Sequence, residues 1–229
     1  MLTRLAKILI TSTALLTLTP QAFAGASDHG NPPPPPQQGT LILNGQVSFG
    51  VQSSIINTNA YNVNGDVNVQ GQAAGNAVDI TTFDDTTVNN SQDGESRDIS
   101  STVNANATNV GGSVSITGSA ACNSASVSTD PALTSVNSNQ YCNALDPSSA
   151  VNAVVHNVGG DVSIASSAVG NAYEEDTNAT SAPLNLHQTN MSQIYSVNNA
   201  TINGINGSAT VTSSAVGNNA QIIHYSTTP

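Results

Sequence analysis

The sequence predicts an all-β protein: a β-solenoid of stacked strand-turn-strand units, in a double repeat of about 47 residues present in four copies. Three observations predict it. One segment recurs as Val63-Asn64-Gly65-Asp66-Val67, Val110-Gly111-Gly112-Ser113-Val114, Val158-Gly159-Gly160-Asp161-Val162 and Ile205-Asn206-Gly207-Ser208-Ala209, and its glycines Gly65, Gly112, Gly160 and Gly207 are 47, 48 and 47 residues apart. Each copy then runs into an Ala-x-Gly-Asn signature, with Cys in place of Gly once: Ala73 to Asn76, Ala120 to Asn123, Ala168 to Asn171 and Ala215 to Asn218. Between the two, residues alternate with period two, which is the period of a strand and not of a helix.

Residues 1–24 are read as a secretory signal peptide. Arg4 and Lys7 precede the short apolar stretch Ile8 to Leu18, and Ala22-Phe23-Ala24 is a small-x-small cleavage site. The stretch is shorter than the ~20 residues that span a bilayer, so no transmembrane segment is expected in the mature chain. Residues 25–39 form a Pro-rich linker, in which Pro32 to Pro36 favour an extended polyproline II spacer. Residues 40–229 are the β-repeat domain.

Without its first 24 residues the chain keeps one cationic side chain, Arg97, against 14 carboxylates, a formal charge of 1 − 14 = −13. It has nothing with which to neutralise phosphates, which excludes charge-driven binding of nucleic acid or anionic lipid. Trp is absent and aromatics are 3% of residues. That argues against a conventional large core and against an outer-membrane barrel, which needs aromatic girdles.

Within the third copy Val158, Gly160, Val162, Ile164, Ser166, Ala168, Gly170 and Ala172 share one parity, and Asp161, Ser163, Ser167 and Asn171 the other. The inward side chains become small toward the Gly-Asn end, which predicts a closely approached sheet there. The stretches Ser53 to Val63, Ser101 to Val110, Ser149 to Val158 and Gln193 to Ile205 alternate more loosely and supply the second strand-bearing half of each unit. Between copies, Phe83 to Asp98, Thr129 to Pro147 and Glu174 to Pro183 differ in sequence and carry Asp, Gly and Pro. They read as loops on one side of the stack.

The recurrent Asn76, Asn123, Asn171 and Asn218 fall on the polar parity. Two roles fit them: an amide ladder between stacked units, as in cross-β assemblies, or residues that tolerate the left-handed conformation of a turn. Cys122 and Cys142 lie in one repeat of an exported chain, and a disulfide is the leading reading, worth about 3 kcal/mol in the chain-entropy model. No second cysteine pair completes a metal site. The acidic loop clusters suit calcium oxygens, but they follow no EF-hand or nonapeptide pattern, so solvated loops are expected and no metal or cofactor is predicted. His29, His156, His187 and His224 do not recur at equivalent points, and no nucleophile or phosphate-binding motif is present. Asn-x-Ser/Thr sites such as those at Asn106, Asn178 and Asn199 follow from composition. No catalytic residue is predicted.

The last copy, Ser208 to Ala220 with Ala215-Val216-Gly217-Asn218-Asn219-Ala220 and His224-Tyr225 close behind, resembles the final repeat of curlins, the secreted subunits of bacterial curli fibres. Gln221 fits a trailing curlin position, whereas Asn76, Asn123 and Asn171 have no matching Gln. The mature chain is also similar in plan to the curlin-like proteins that anchor the holdfast of stalked bacteria. The resemblance covers Gly45 to Tyr225. It implies an exported adhesion protein at the cell outer surface or beyond it, self-association, related surface subunits, a curli-type outer-membrane export channel and an adhesive polysaccharide as partner. The alternative expectation is a monomeric solenoid that presents its acidic loops to calcium or a glycan. The uncapped ends of the repeat predict end-to-end pairing with another copy or a related subunit.

Overall fold

The structure is a computed structural model that describes residues 40–129, 134–179 and 181–225, so the segments expected to be a signal peptide (1–24) and a Pro-rich linker (25–39) lie outside the described residues. The chain winds through four coils of three strands. The first coil is β1 (Thr40–Ser48), β2 (Val51–Val63) and β3 (Val67–Thr82); the second is β4 (Thr86–Gly94), β5 (Asp98–Val110) and β6 (Val114–Thr129). The third is β7 (Thr134–Cys142), β8 (Pro147–Val158) and β9 (Val162–Thr177), and the fourth is β10 (Leu184–Asn190), β11 (Tyr195–Ile205) and β12 (Ala209–His224).

Equivalent strands of successive coils pair in parallel and in register, giving three four-stranded sheets: β1-β4-β7-β10, β2-β5-β8-β11 and β3-β6-β9-β12. All backbone pairing therefore runs along the stack. Val, Ile and Ala alternate with Ser, Thr and Asn on these strands, as a half-buried pleated surface requires. The all-β solenoid expected from the 47-residue period is the observed fold.

The coil differs from the sequence expectation in having a third strand. The segments read as loops hold β4, β7 and the end of β9, with β10 directly after them. The acidic stretch Phe83 to Asp98 is largely β4, packed into the stack. One layer of each coil is the 16-residue strand of the third sheet; the other layer is two shorter strands meeting at a corner, which for coil one is Phe49-Gly50.

The long strand serves both neighbours because its inward parity changes midway. In β9, Val162, Ile164, Ser166 and Ala168 are buried, then Gly170 and Asn171 together, then Tyr173, Glu175 and Thr177. The register passes from Ala74–Ala121 to Asn76–Asn123 and leaves Gly75 and Cys122 out of the ladder. A one-residue skip moves every later side chain to the other face. Ala172, on the inward parity before the skip, thus turns outward, and Tyr173 points in.

Before the skip, the long strands pack on β5 and β8 through Val69, Val114, Ile116, Val162 and Ile164 against Val103, Ala105, Val151 and Val155. After it, Ile80, Ala125, Val127 and Tyr173 pack on Val88 and Val136 of β4 and β7. Between them lie Ala73, Ile99, Ala120, Cys122, Cys142 and Ala144. The close approach predicted from small residues is real: a Cβ on Gly71 would sit 2.7 Å from Val103 Cγ2, and one on Gly118 2.9 Å from Val151 Cγ2.

Candidate functional site

The features that recur in every coil are rows of amides. Asn76 Nδ2 donates to Asn123 Oδ1, Asn123 Nδ2 to Asn171 Oδ1 and Asn171 Nδ2 to Asn218 Oδ1, each at 2.8 Å. The second hydrogen of each Nδ2 goes across the coil, to the carbonyls of Asp93, Tyr141 and Thr189 at 2.8 to 2.9 Å. Asn123 and Asn171 are fully buried. The ladder role is therefore the observed one, and Asn76, Asn123 and Asn171 sit in the interior instead of on the polar parity, because the skip at Gly75, Cys122 and Gly170 turns the following residue inward; Asn218 holds the same place on the exposed last coil.

The turn role belongs to different residues. Asn62, Asn109 and Asn157 have φ of 53°, 58° and 54°, and Gly204 takes the fourth place at 67°. Asn tolerates this region better than other side chains. The same asparagines also bond to one another, Asn109 Nδ2 to Asn62 Oδ1 at 2.9 Å and Asn157 Nδ2 to Asn109 Oδ1 at 3.0 Å.

Sequence reasoning missed a second internal ladder. Gln188, Gln140, Gln92 and Gln46 donate in that order, Nε2 to Oε1, at 2.8, 2.8 and 2.9 Å. Their remaining hydrogens bond the carbonyls of Asn219, Ala172, Ser124 and Ala77 on the facing long strands. The spacing of these glutamines, 46, 48 and 48 residues, carried the signal. The two ladders run in opposite senses along the stack. Each satisfied buried amide contributes about 1 kcal/mol net, and an unsatisfied one costs about 1 to 3 kcal/mol.

The predicted glycines Gly65, Gly112, Gly160 and Gly207 form a column at the turn into each long strand. A Cβ on Gly112 would lie 2.8 Å from the Gly65 carbonyl carbon, on Gly160 3.0 Å from that of Gly112, and on Gly207 2.6 Å from Gly160 O. Glycine is what lets the turns stack. Asp66 and Asp161 fasten them, accepting the backbone N–H of Ser113 and Ser208 at 2.7 and 2.8 Å.

Cys122 and Cys142 form the predicted disulfide, with Cα atoms 6.0 Å apart. It joins β6 of the second coil to β7 of the third, so it staples two coils together.

Among the described residues one buried acid stands apart from these columns. Glu175 occupies the core position held by Ile80 and Val127 in the preceding coils and is 1% exposed. Tyr173 donates its O–H to Glu175 Oε2 at 2.8 Å. Burial pushes the Glu175 carboxyl above the usual range, opposed by the Tyr173 hydrogen bond and by His224. The Tyr173 hydroxyl is also raised, first by burial and then by Glu175. Among the described residues no three His, Cys, Asp or Glu side chains converge as a metal site would require, and no helix is long and apolar enough to cross a membrane.

The repeated positions thus come together as interior ladders and stacked turns, which hold coils in register. No curated protein and no solved structure gives a significant match to the chain. A family model described as holdfast attachment protein D matches residues 50–228, more than half of the chain. That family concerns the attachment of holdfast, which is a role at the cell surface and not an enzymatic one. A stacked, ladder-bearing β-repeat across the described residues of that span accords with such a role, and the chain belongs to the holdfast attachment protein D family.

Proposed function

We propose that this protein is an exported structural adhesion protein that assembles on the bacterial envelope and anchors adhesive holdfast material there. Residues 1–24 direct export, residues 25–39 act as the spacer, and a curli-type outer-membrane channel passes the chain to the surface. Related surface subunits and an adhesive polysaccharide are its further partners. The observation that carries this reading is the stack itself: three parallel sheets whose hydrogen bonds and buried amide rungs all run along one axis. A load applied along that axis is shared by every strand of a coil at once, which is what an anchor needs and a catalytic site does not.

The test has two arms. Deleting the chain from a holdfast-bearing bacterium should leave cells that release holdfast into the medium, and cells that keep it firmly attached would refute the anchoring role. The mature chain from Gly25 should give heat- and detergent-resistant multimers by size-exclusion chromatography, dye binding and electron microscopy. A persistent dye-negative monomer would refute assembly.

A further inference from the structure

The two ends of the solenoid are complementary to each other, in four ways that none of the described residues uses. The first is a glycine. Gly112, Gly160 and Gly207 are needed because a Cβ would strike the preceding coil, yet a Cβ on Gly65 would meet nothing within 4 Å, and Gly65 is not in a left-handed conformation. Gly75 and Gly170 lean on the opposite side, 2.6 Å from Cys122 O and 2.4 Å from Gly217 O, while the nearest atom to a Cβ on Gly217 in the last coil is a side-chain nitrogen at 3.3 Å. Gly65 and Gly217 thus leave clearance at the first and last coils for a neighbour that the described residues do not supply.

The second is the direction of the ladders. Asn76 Oδ1 receives no rung donor and Asn218 Nδ2 has no rung acceptor, whereas in the opposite ladder Gln46 has the spare rung donor and Gln188 the spare acceptor. Setting the last coil of one copy beneath the first coil of the next lets Asn218 donate to Asn76 and Gln46 donate to Gln188. Joining two first coils would oppose acceptor to acceptor.

The third is where apolar side chains are exposed. Leu41, Leu43, Val47, Phe49, Val51 and Ile55 lie bare on the first coil, and Met191, Tyr195, Val197 and Val211 on the last. Strand register puts Ile55 and Val197 in one column, filled by Thr102 and Ala150 in between. One residue beyond the paired ends of β1 and β10, Phe49 and Met191 share another column, with Glu95 and Asn143 between them. The fourth is the open core: Val211 is 49% exposed in the column where Ile116 and Ile164 are 0%.

From these observations we infer that copies of this chain join head to tail in unbroken register, the fourth coil of one stacking on the first coil of the next, with Gly65 and Gly217 as the clearance residues of the joint. The occupant of each end is a second copy, because the Asn and Gln rungs, the apolar columns and the glycine columns all continue at once only in that arrangement. The inference rests on the assembly proposed above and gives it a polarity and a contact surface.

Two variants of the mature chain, with wild type beside them, test it. Gly65→Ala should fold like wild type by circular dichroism and thermal melting but lower the multimer fraction in sedimentation at least tenfold. Ile55→Cys combined with Val197→Cys should give a ladder of disulfide-linked multimers on oxidation. Within one chain these positions are three strand spacings apart, about 14 Å at ~4.8 Å each, beyond the ~7 Å a disulfide spans, so only a joint between copies links them. Wild type that stays monomeric would overturn the assembly reading itself. Wild type that assembles, with Gly65→Ala assembling equally and no Ile55–Val197 cross-link, would overturn this joint and leave assembly standing.

Discussion

Replacing Asn123 by Ala is the sharpest perturbation of the interior ladder. Asn123 is fully buried, accepts from Asn76, and donates to both Asn171 Oδ1 and the Tyr141 carbonyl, all at 2.8 Å. Alanine removes three hydrogen bonds and strands three polar partners in the middle of the stack. At about 1 kcal/mol for each lost bond the cost is at least ~3 kcal/mol, and the stranded partners raise it toward ~6 kcal/mol. That is a large share of the ~5 to 15 kcal/mol that a domain has. Asn218→Ala at the open end breaks the bond from Asn171 and a 3.4 Å contact to the Gln188 carbonyl, where water can substitute, so about 1 kcal/mol is expected. Urea unfolding of the mature chain, followed by far-ultraviolet circular dichroism at a concentration low enough to keep it monomeric, reads both. With a urea slope of about 1 to 3 kcal/mol/M, Asn123→Ala should shift the midpoint by roughly 1 M or more. A cost below ~1 kcal/mol, or one no greater than that of Asn218→Ala, would refute the buried-ladder account.

Other perturbations follow from the same geometry. Gly112→Ala places a Cβ 2.2 Å from Asp66 Oδ1 and 2.8 Å from the Gly65 carbonyl carbon; overpacking of this kind costs about 1 to 3 kcal/mol, which a thermal melt should register. Serine at both Cys122 and Cys142 should lower stability by about 3 kcal/mol in the same urea assay. Glu175 has a folded-state pKa raised above the unfolded ~4.3, so the folded chain holds its proton more tightly. Stability from this group is complete below the unfolded value and is lost as pH rises through the folded one. Glu175→Gln should therefore melt higher than wild type at neutral pH, with the difference shrinking toward pH ~4; a difference that does not change with pH would contradict the assignment.

Much of this architecture is written in the sequence, and the gaps have physical causes. The 47-residue period, the strands β2, β5, β8 and β11 and the glycine turn column are legible because Val and Ile alternate with polar residues, and because stacked turns admit no side chain. The first sheet is hidden. Its strands are nine or seven residues long and rich in Asn, Ser and Gln, so composition resembles that of a loop. The inward positions of β4 beside Val88 are Asn90 and Gln92, whose side-chain partners one coil away are themselves polar, Asn44 and Ser138 for Asn90 and Gln46 and Gln140 for Gln92. Hydrophobic alternation cannot reveal such a strand, whereas the recurrence of Gln46, Gln92, Gln140 and Gln188 can. The parity skip is hidden for another reason. Ala occupies both faces around Gly75 and Gly170, and only the later Ile80, Val127 and Tyr173 mark which side is in. The recurrent Asn of each copy lies on the polar parity of the alternation that precedes the skip, and the skip turns it inward in the first three coils. The left-handed asparagines went unnoticed because nothing in Asn62, Asn109 and Asn157 distinguishes them locally from the many other asparagines of the chain.

The central claim is that this holdfast attachment protein is one segment of a continuous, in-register stack. Cryo-electron microscopy of multimers formed by the mature chain tests it most directly. Four coils per copy at ~4.8 Å per strand predict filaments with a strand repeat of ~4.8 Å, a rise of about 19 Å per copy and three sheets in every cross-section. Multimers with strands along the particle axis, or with copies related by a two-fold axis at the joint, would contradict it.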